Sequence, residues 1–310
     1  MTSYLWLSLA VGCAGALEGD LFYAACNLPS CNTLTFDAWA LGTNTSQTLY
    51  SFPNGEFEDG YVADSVLIGS TVVISLQYDS LPDQGYLVEF DLNTNSVVKG
   101  YNTSQCFSIW ADPADASGDA LLCLALEPKC DGGAQCTEFR RISRSNGSDV
   151  LVSSFLPNYA PYTVSCLDSK RGLIYSSFGP LSGGPGNIIA AIDQRTGALV
   201  SNASFPLDIA YIEFEYDPVT DRVYSVVESP QGTFFGTVDP ATGVATPLSD
   251  HAFFNTTYWN QWNTISTIAP QIGVFFSTAF HYAVPNPPSD PILHVRGQAQ
   301  RSDGCTARIL

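Results

Sequence analysis

The chain is short of positive charge. Lys and Arg together supply 12 of 310 residues against 30 Asp and Glu, a formal net charge of −18. A surface that acidic repels phosphate backbones, which excludes nucleic acid as a main partner, and it disfavours polybasic docking to anionic membranes. Histidine is scarce too: only His251, His281 and His294 occur, and there is no Gly-x-Ser-x-Gly elbow. The usual signature of a nucleophilic hydrolase is therefore missing. No Cys-x-x-Cys and no cysteine–histidine spacing of a zinc site is present, which removes redox and zinc chemistry as first readings. The glycine-rich segment 179–186 lacks the Lys-Ser/Thr of a phosphate loop and reads as a flexible connection. Helical periodicity is rare, and after the N-terminus no long apolar run remains, so stable membrane insertion is not expected. The C-terminal residues 305–310 do not resemble the tail of a GPI signal.

Apolar material is plentiful. Hydrophobic residues make up 45% and aromatic residues 12% of the chain, enough for a sizeable core and too much for wholesale disorder. The first sixteen residues hold an apolar stretch from Leu5 that ends in small residues, Cys13-Ala-Gly-Ala16. This is the pattern of a secretory signal peptide over residues 1–17, although no Lys or Arg precedes it. An N-terminal buried strand or helix is the competing reading. Cleavage near Ala16 would leave eight cysteines: Cys26, Cys31, Cys106, Cys123, Cys130, Cys136, Cys166 and Cys305. An even count suits an oxidising compartment. Five N-glycosylation sequons begin at Asn44, Asn102, Asn146, Asn202 and Asn255. Together these features point to an extracellular, secreted glycoprotein.

Short runs of Val, Ile, Phe, Tyr and Thr, punctuated by Gly, Pro, Asn and Asp, give an all-β reading. The strands repeat. One strand type recurs as Leu21–Ala25, Val72–Ser75, Leu121–Leu124, Leu173–Ser176, Val223–Ser225 and Val274–Ser277, with intervals of 50, 49, 52, 49 and 52 between the last residues. A polar turn and another apolar strand precede it in most units, as in Ile212–Tyr216 followed by Asp217–Arg222. A second hairpin follows, with turns at Asp193–Gly197, Asp239–Gly243, Asp91–Asn95 and Ser143–Gly147. The last position of each is Gly or Asn, as a residue with positive φ would be.

Four strands every fifty residues or so are the signature of propeller blades. The expected fold is a six-bladed β-propeller of four-stranded antiparallel blades, forming a single domain over residues 18–310. The first unit lacks an obvious innermost strand, because that place falls within the signal-peptide pattern. The segment Thr306–Leu310 could complete the first blade or be the last blade's own outer strand. The spacing and the turns at Asp193–Gly197 and Asp239–Gly243 resemble the broad superfamily of six-bladed propellers with D-x-x-T-G-type turns, which includes gluconolactonase-like, NHL-like and TolB-like repeats. The resemblance spans about residues 20 to 300 and carries no family-defining active-site sequence.

Two close cysteine pairs, Cys26 with Cys31 and Cys130 with Cys136, are expected to close loops as disulfides. Cys106 and Cys123 could face each other across one hairpin, and Cys166 and Cys305 have no evident partner.

Propeller ligands usually sit over the central channel. Counting seventeen residues back from each repeat's reference residue reaches Glu58, Phe107, Tyr159, Asp208 and Asn260. Glu58, Asn158, Asp208 and Asn260 could offer a calcium ion the hard oxygen ligands it prefers. Gluconolactonase-like enzymes use a similar set to polarise a lactone or ester, so the resemblance implies a calcium-dependent lactonase or esterase-like hydrolase as one alternative. The plainer reading is that these loops are polar because they meet water. The segment Tyr258-Trp259-Asn260-Gln261-Trp262 interleaves aromatics with amides, which suits a sugar face. With Tyr159 and Tyr162, residues Trp259, Asn260 and Trp262 could form a rim for a protein or carbohydrate ligand; packing between blades is the competing role. The favoured expectation is a non-catalytic binding propeller.

Overall fold

The structure is a computed structural model. It describes residues 7–11, 21–28, 33–40, 45–51, 60–78, 84–127, 135–182, 186–206, 209–230, 232–248, 264–269, 274–279, 298–301 and 306–308. Among these residues there is no helix, and six antiparallel four-stranded sheets account for every strand. The first sheet holds β1 (Leu7–Val11), β2 (Leu21–Leu28), β3 (Thr33–Ala40) and β4 (Thr45–Ser51). The second holds β5 (Gly60–Ile68), β6 (Thr71–Tyr78), β7 (Gly85–Asp91) and β8 (Ser96–Thr103). The third holds β9 (Cys106–Ala111), β10 (Ala120–Glu127), β11 (Cys136–Ser143) and β12 (Asp149–Phe155). The fourth holds β13 (Tyr159–Asp168), β14 (Leu173–Pro180), β15 (Ile188–Asp193) and β16 (Leu199–Ser204). The fifth holds β17 (Ala210–Asp217), β18 (Arg222–Ser229), β19 (Gly232–Asp239) and β20 (Val244–Pro247). The sixth holds β21 (Thr264–Ala269), β22 (Val274–Ala279), β23 (Gln298–Arg301) and β24 (Thr306–Arg308).

In each sheet the strands pair in sequence order, so every blade is a meander. The first strands touch in a ring: β1 with β5, β5 with β9, β9 with β13, β13 with β17, β17 with β21, and β21 with β1. That ring makes the molecule a β-propeller, with the first strand of each blade nearest the axis and the fourth at the rim.

Burial follows from this placement. Middle strands are covered on both faces by neighbouring blades, so they read as continuous apolar runs. In β6, Val72, Ile74 and Leu76 pack with Val88 and Phe90 against Leu49 and Tyr50 of the first blade. Val73, on the opposite face of β6, joins Leu87 against Ile109, Leu121 and Ile142 of the third blade. In β10, Leu122 and Leu124 turn the other way and meet Ile174, Phe178 and Ile192 of the fourth. The fourth and fifth blades meet through Tyr175, Ile189, Phe214 and Val227. One strand thus serves two interfaces through its period of two.

The turns behave as their sequences require. Asn95, Gly147, Gly197 and Gly243 all have positive φ, at 49°, 70°, 65° and 69°. The leading aspartates accept from the turn: Asp193 Oδ1 from the amides of Arg195 and Thr196, and Asp239 Oδ1 from the amide of Ala241. Two of these glycines also lie against the preceding blade. A Cβ on Gly197 would sit 2.6 Å from Phe139 Cδ1, and one on Gly243 would sit 2.8 Å from the Ser204 carbonyl. Ser153 Oγ donates to Gly197 O and Tyr211 Oη donates to Gly243 O, both at 2.7 Å.

Both ends of the chain contribute strands. β24 pairs with β23, so residues Thr306–Arg308 form the outer strand of the last blade and do not complete the first. Leu7–Val11, inside the segment read as a signal peptide, pairs with β2 as the first blade's innermost strand. A leader and an inner strand both demand a short apolar run, which is why one segment answers both descriptions.

Candidate functional site

The channel-mouth residues singled out from the sequence fall mostly outside the described residues: Glu58, Asp208, Trp259, Asn260 and Trp262 all do. Asn158 is described, just before β13. It is exposed and left-handed, with φ of 67°. Its amide donates to Gln135 O and its carbonyl accepts from Leu181 N, each at 2.8 Å. The backbone therefore fixes this loop and leaves the side chain at the surface. Tyr159 begins β13 and is partly buried. Tyr162 is half-buried, packs against the core between the fourth and fifth blades, and lays its hydroxyl over Gly179. Burial raises its phenol above the usual range. Phe107 does not occupy the position of Tyr159; it lies inside β9, where the ladder with β10 skips it. The loop between β9 and β10 spans residues 112–119 and is longer than the matching turns, so a fixed count back falls short and stops inside the strand.

The calcium set thus has one described member, Asn158, which offers a neutral amide. Among the described residues no three His, Cys, Asp or Glu side chains come together as a metal centre would require.

Deeper in the channel lies a feature the sequence reading missed. Asp64 on β5 accepts from Ser65 N at 2.7 Å with one oxygen and from Ile109 N on β9 at 2.8 Å with the other. It therefore joins two adjacent inner strands. Burial outweighs these bonds and pushes its carboxyl up to about 7. Glu215 on β17 is raised well above the carboxylate range by burial and further by the charge of Asp64. β5 and β17 are three places apart in the ring of six, so the two acids sense each other across the axis. Both keep partial solvent access, as channel-lining groups do. Nearby, Cys166 on β13 is a free, buried thiol raised by burial, then by Glu215 and Asp168. Ser108, next to Ile109, has a buried hydroxyl with no hydrogen-bond partner among the described residues. Asp64 can hold and exchange a proton near neutrality. The only sequence signal was carboxylates placed among apolar strand residues, one in Tyr61-Val-Ala-Asp64 and two in Ile212-Glu-Phe-Glu215.

Cys106 and Cys123 form a disulfide between β9 and β10, with Cα atoms 5.6 Å apart. Cys136 is also disulfide-bonded. Cys31, Cys130 and Cys305 lie outside the described residues, as does the side chain of Cys26.

No family model matches the sequence. No curated protein matches it either. Solved structures do share the architecture. Hydrazine synthase from Kuenenia stuttgartiensis aligns with a TM-score of 0.57 and 11% identity, over 88% of this chain and 73% of that one. A chain of a nidogen–laminin complex aligns with a TM-score of 0.52 and 8% identity, over 88% of each. The β-propeller domain of the Trilobed protease from Pyrococcus furiosus gives 0.51 and 7% identity, over 94% of this chain and 78% of that one. Identities this low establish a common fold: the chain is a β-propeller.

Proposed function

We propose that this chain is a secreted glycoprotein that binds a protein or glycan through one face of its propeller and does no chemistry on it. The observation that carries this reading is the architecture itself. Blade faces are consumed by packing between blades, so a partner must meet either the loops around the axis or the rim. The propeller of the nidogen–laminin complex has the same architecture and is found bound to another protein, which supports a protein ligand here. The contact residues on this reading are Tyr159 and Tyr162, at the start of β13 in the fourth blade, with Trp259, Asn260 and Trp262. Aromatic faces supply contact area at low entropy cost, and the amide supplies hydrogen bonds. The D-x-x-T-G turns support kinship to gluconolactonase-like, NHL-like or TolB-like propellers.

The test is binding of the secreted protein to arrays of immobilised glycans and extracellular proteins. Trp259→Ala and Trp262→Ala should each weaken capture by about tenfold or more, as truncation of an aromatic anchor does. Asp208→Ala should leave capture unchanged. The opposite pattern, calcium-dependent thermal stabilisation and lactone or ester hydrolysis that Asp208→Ala abolishes, would replace this reading with a metal-dependent hydrolase built on Glu58, Asn158, Asp208 and Asn260.

A further inference from the structure

The rim of the propeller is made of fourth strands, and each of them has one edge without a paired strand among the described residues. Such an edge is a template for pairing with another chain unless something blunts it. Here several outer strands expose apolar side chains. Val98 on β8 is 63% exposed and Val200 on β16 is 57% exposed. On β12, Val150, Leu151 and Val152 are all exposed in succession. Charge, the common protection, is nearly missing. β16 reads Leu-Val-Ser-Asn-Ala-Ser and has no charged residue. The one charge on β8, Lys99, is tied down by the carbonyls of Arg144 and Ser145. Bulges supply part of the protection: the ladders skip Leu49, Val98, Val152 and Val200, one on each of the first four fourth strands.

Two of the five sequons fall on these strands and two more lie just before one. Asn102 lies on β8 and Asn202 on β16, both exposed. Asn146 is exposed in the turn that leads into β12. Asn44 immediately precedes β4 in sequence. Among the described residues, no sequon asparagine falls on a first, second or third strand, and Asn255 lies outside them. Asn102 follows Val98 by four residues on the same strand, about 13 Å along it, and Asn202 follows Val200 by two, within about 7 Å. A glycan is bulky and strongly hydrated, and it cannot be accommodated between paired strands.

We propose that N-linked glycans on Asn102, Asn146 and Asn202 are edge guards: they cover the apolar outer strands of three successive blades, prevent strand pairing between copies of the chain, and leave the axial faces for the ligand. The inference rests on the secreted-glycoprotein reading above.

Peptide mass spectrometry of protein secreted by eukaryotic cells, after enzymatic deglycosylation, reads site occupancy; light scattering reads self-association. Asn102 and Asn202 should be occupied and the wild type monomeric. Asn102→Gln with Asn202→Gln should associate at about tenfold lower concentration, since an unguarded apolar edge pairs readily. Adding Val98→Lys and Val200→Lys should restore the monomer. If the double variant is not secreted in folded form, trimming the folded wild type to single N-acetylglucosamine stubs provides the same comparison. Occupied sites with no change in association on glycan removal would overturn the edge-guard role while leaving the glycoprotein reading intact. Unoccupied sites on secreted protein would overturn both.

Discussion

Asp64 is held by two backbone amides from different blades and still carries a proton near neutrality, because burial opposes its ionised form more than those bonds favour it. The consequence for stability has a definite sign. An acid whose folded pKa lies above its unfolded value binds more protons folded than unfolded in between, so stability falls as pH rises through that window. For Asp64 the window runs from its ordinary 3.8 to about 7. Glu215 acts in the same direction. Asp115 and Asp221 act oppositely: Ser117 and the Ala120 amide hold the first down to about 2, and Arg171 with Tyr216 holds the second there. Their stabilisation is lost as pH falls from about 4 towards 2. Calorimetry should therefore find the highest Tm at mildly acidic pH, with a decline towards about pH 8. Asp64→Asn should remove part of that decline; an identical decline in variant and wild type would show that Asp64 is not the group responsible. The Cys106–Cys123 disulfide closes a separation of 17 residues, and loop-closure entropy assigns such a bridge roughly 3 kcal/mol. Replacing both cysteines by Ala should lower stability by about that amount in urea unfolding.

Between blades, specific contacts supplement the apolar packing. Arg144, from the turn between β11 and β12, reaches across to Glu89 on β7 with contacts of 3.1 and 2.8 Å, and its other nitrogen donates to Gly118 O. Tyr101 Oη donates to the same carboxylate at 3.2 Å. Glu89 is buried, so Arg144→Ala would strand a charge and should cost about 3 kcal/mol. Replacing Glu89 and Arg144 together by apolar residues of similar size should cost less, which a double-mutant cycle measures. Gly197→Ala combines a left-handed backbone with a clash against Phe139 and should cost about 1–3 kcal/mol. Much of this level was legible in advance. Ser75, Ser176 and Ser225 mark second strands as the repeat implied, and the left-handed turn positions were readable from Asn95, Gly147, Gly197 and Gly243. Local chemistry fixes such features, so sequence reveals them. The position of Phe107 was not legible, because one longer loop breaks a fixed count. Nor was the opposition of Asp64 and Glu215, which exists only once a ring of six strands closes.

At the scale of the whole molecule, the functional account depends on the chain entering the secretory route. Glycans at the rim, disulfides in the blades and an extracellular ligand all presuppose it. The same route decides the fate of Leu7–Val11, which in the full sequence is the innermost strand of the first blade. Cleavage near Ala16 would leave β2 as that blade's inner edge, beside β5 and β21. The most direct test is N-terminal sequencing, with intact mass, of the protein recovered from the medium of its native cells. The account predicts a chain that starts between Leu17 and Asp20 and loses mass on enzymatic removal of N-glycans. An unglycosylated chain that starts at Met1 would contradict it.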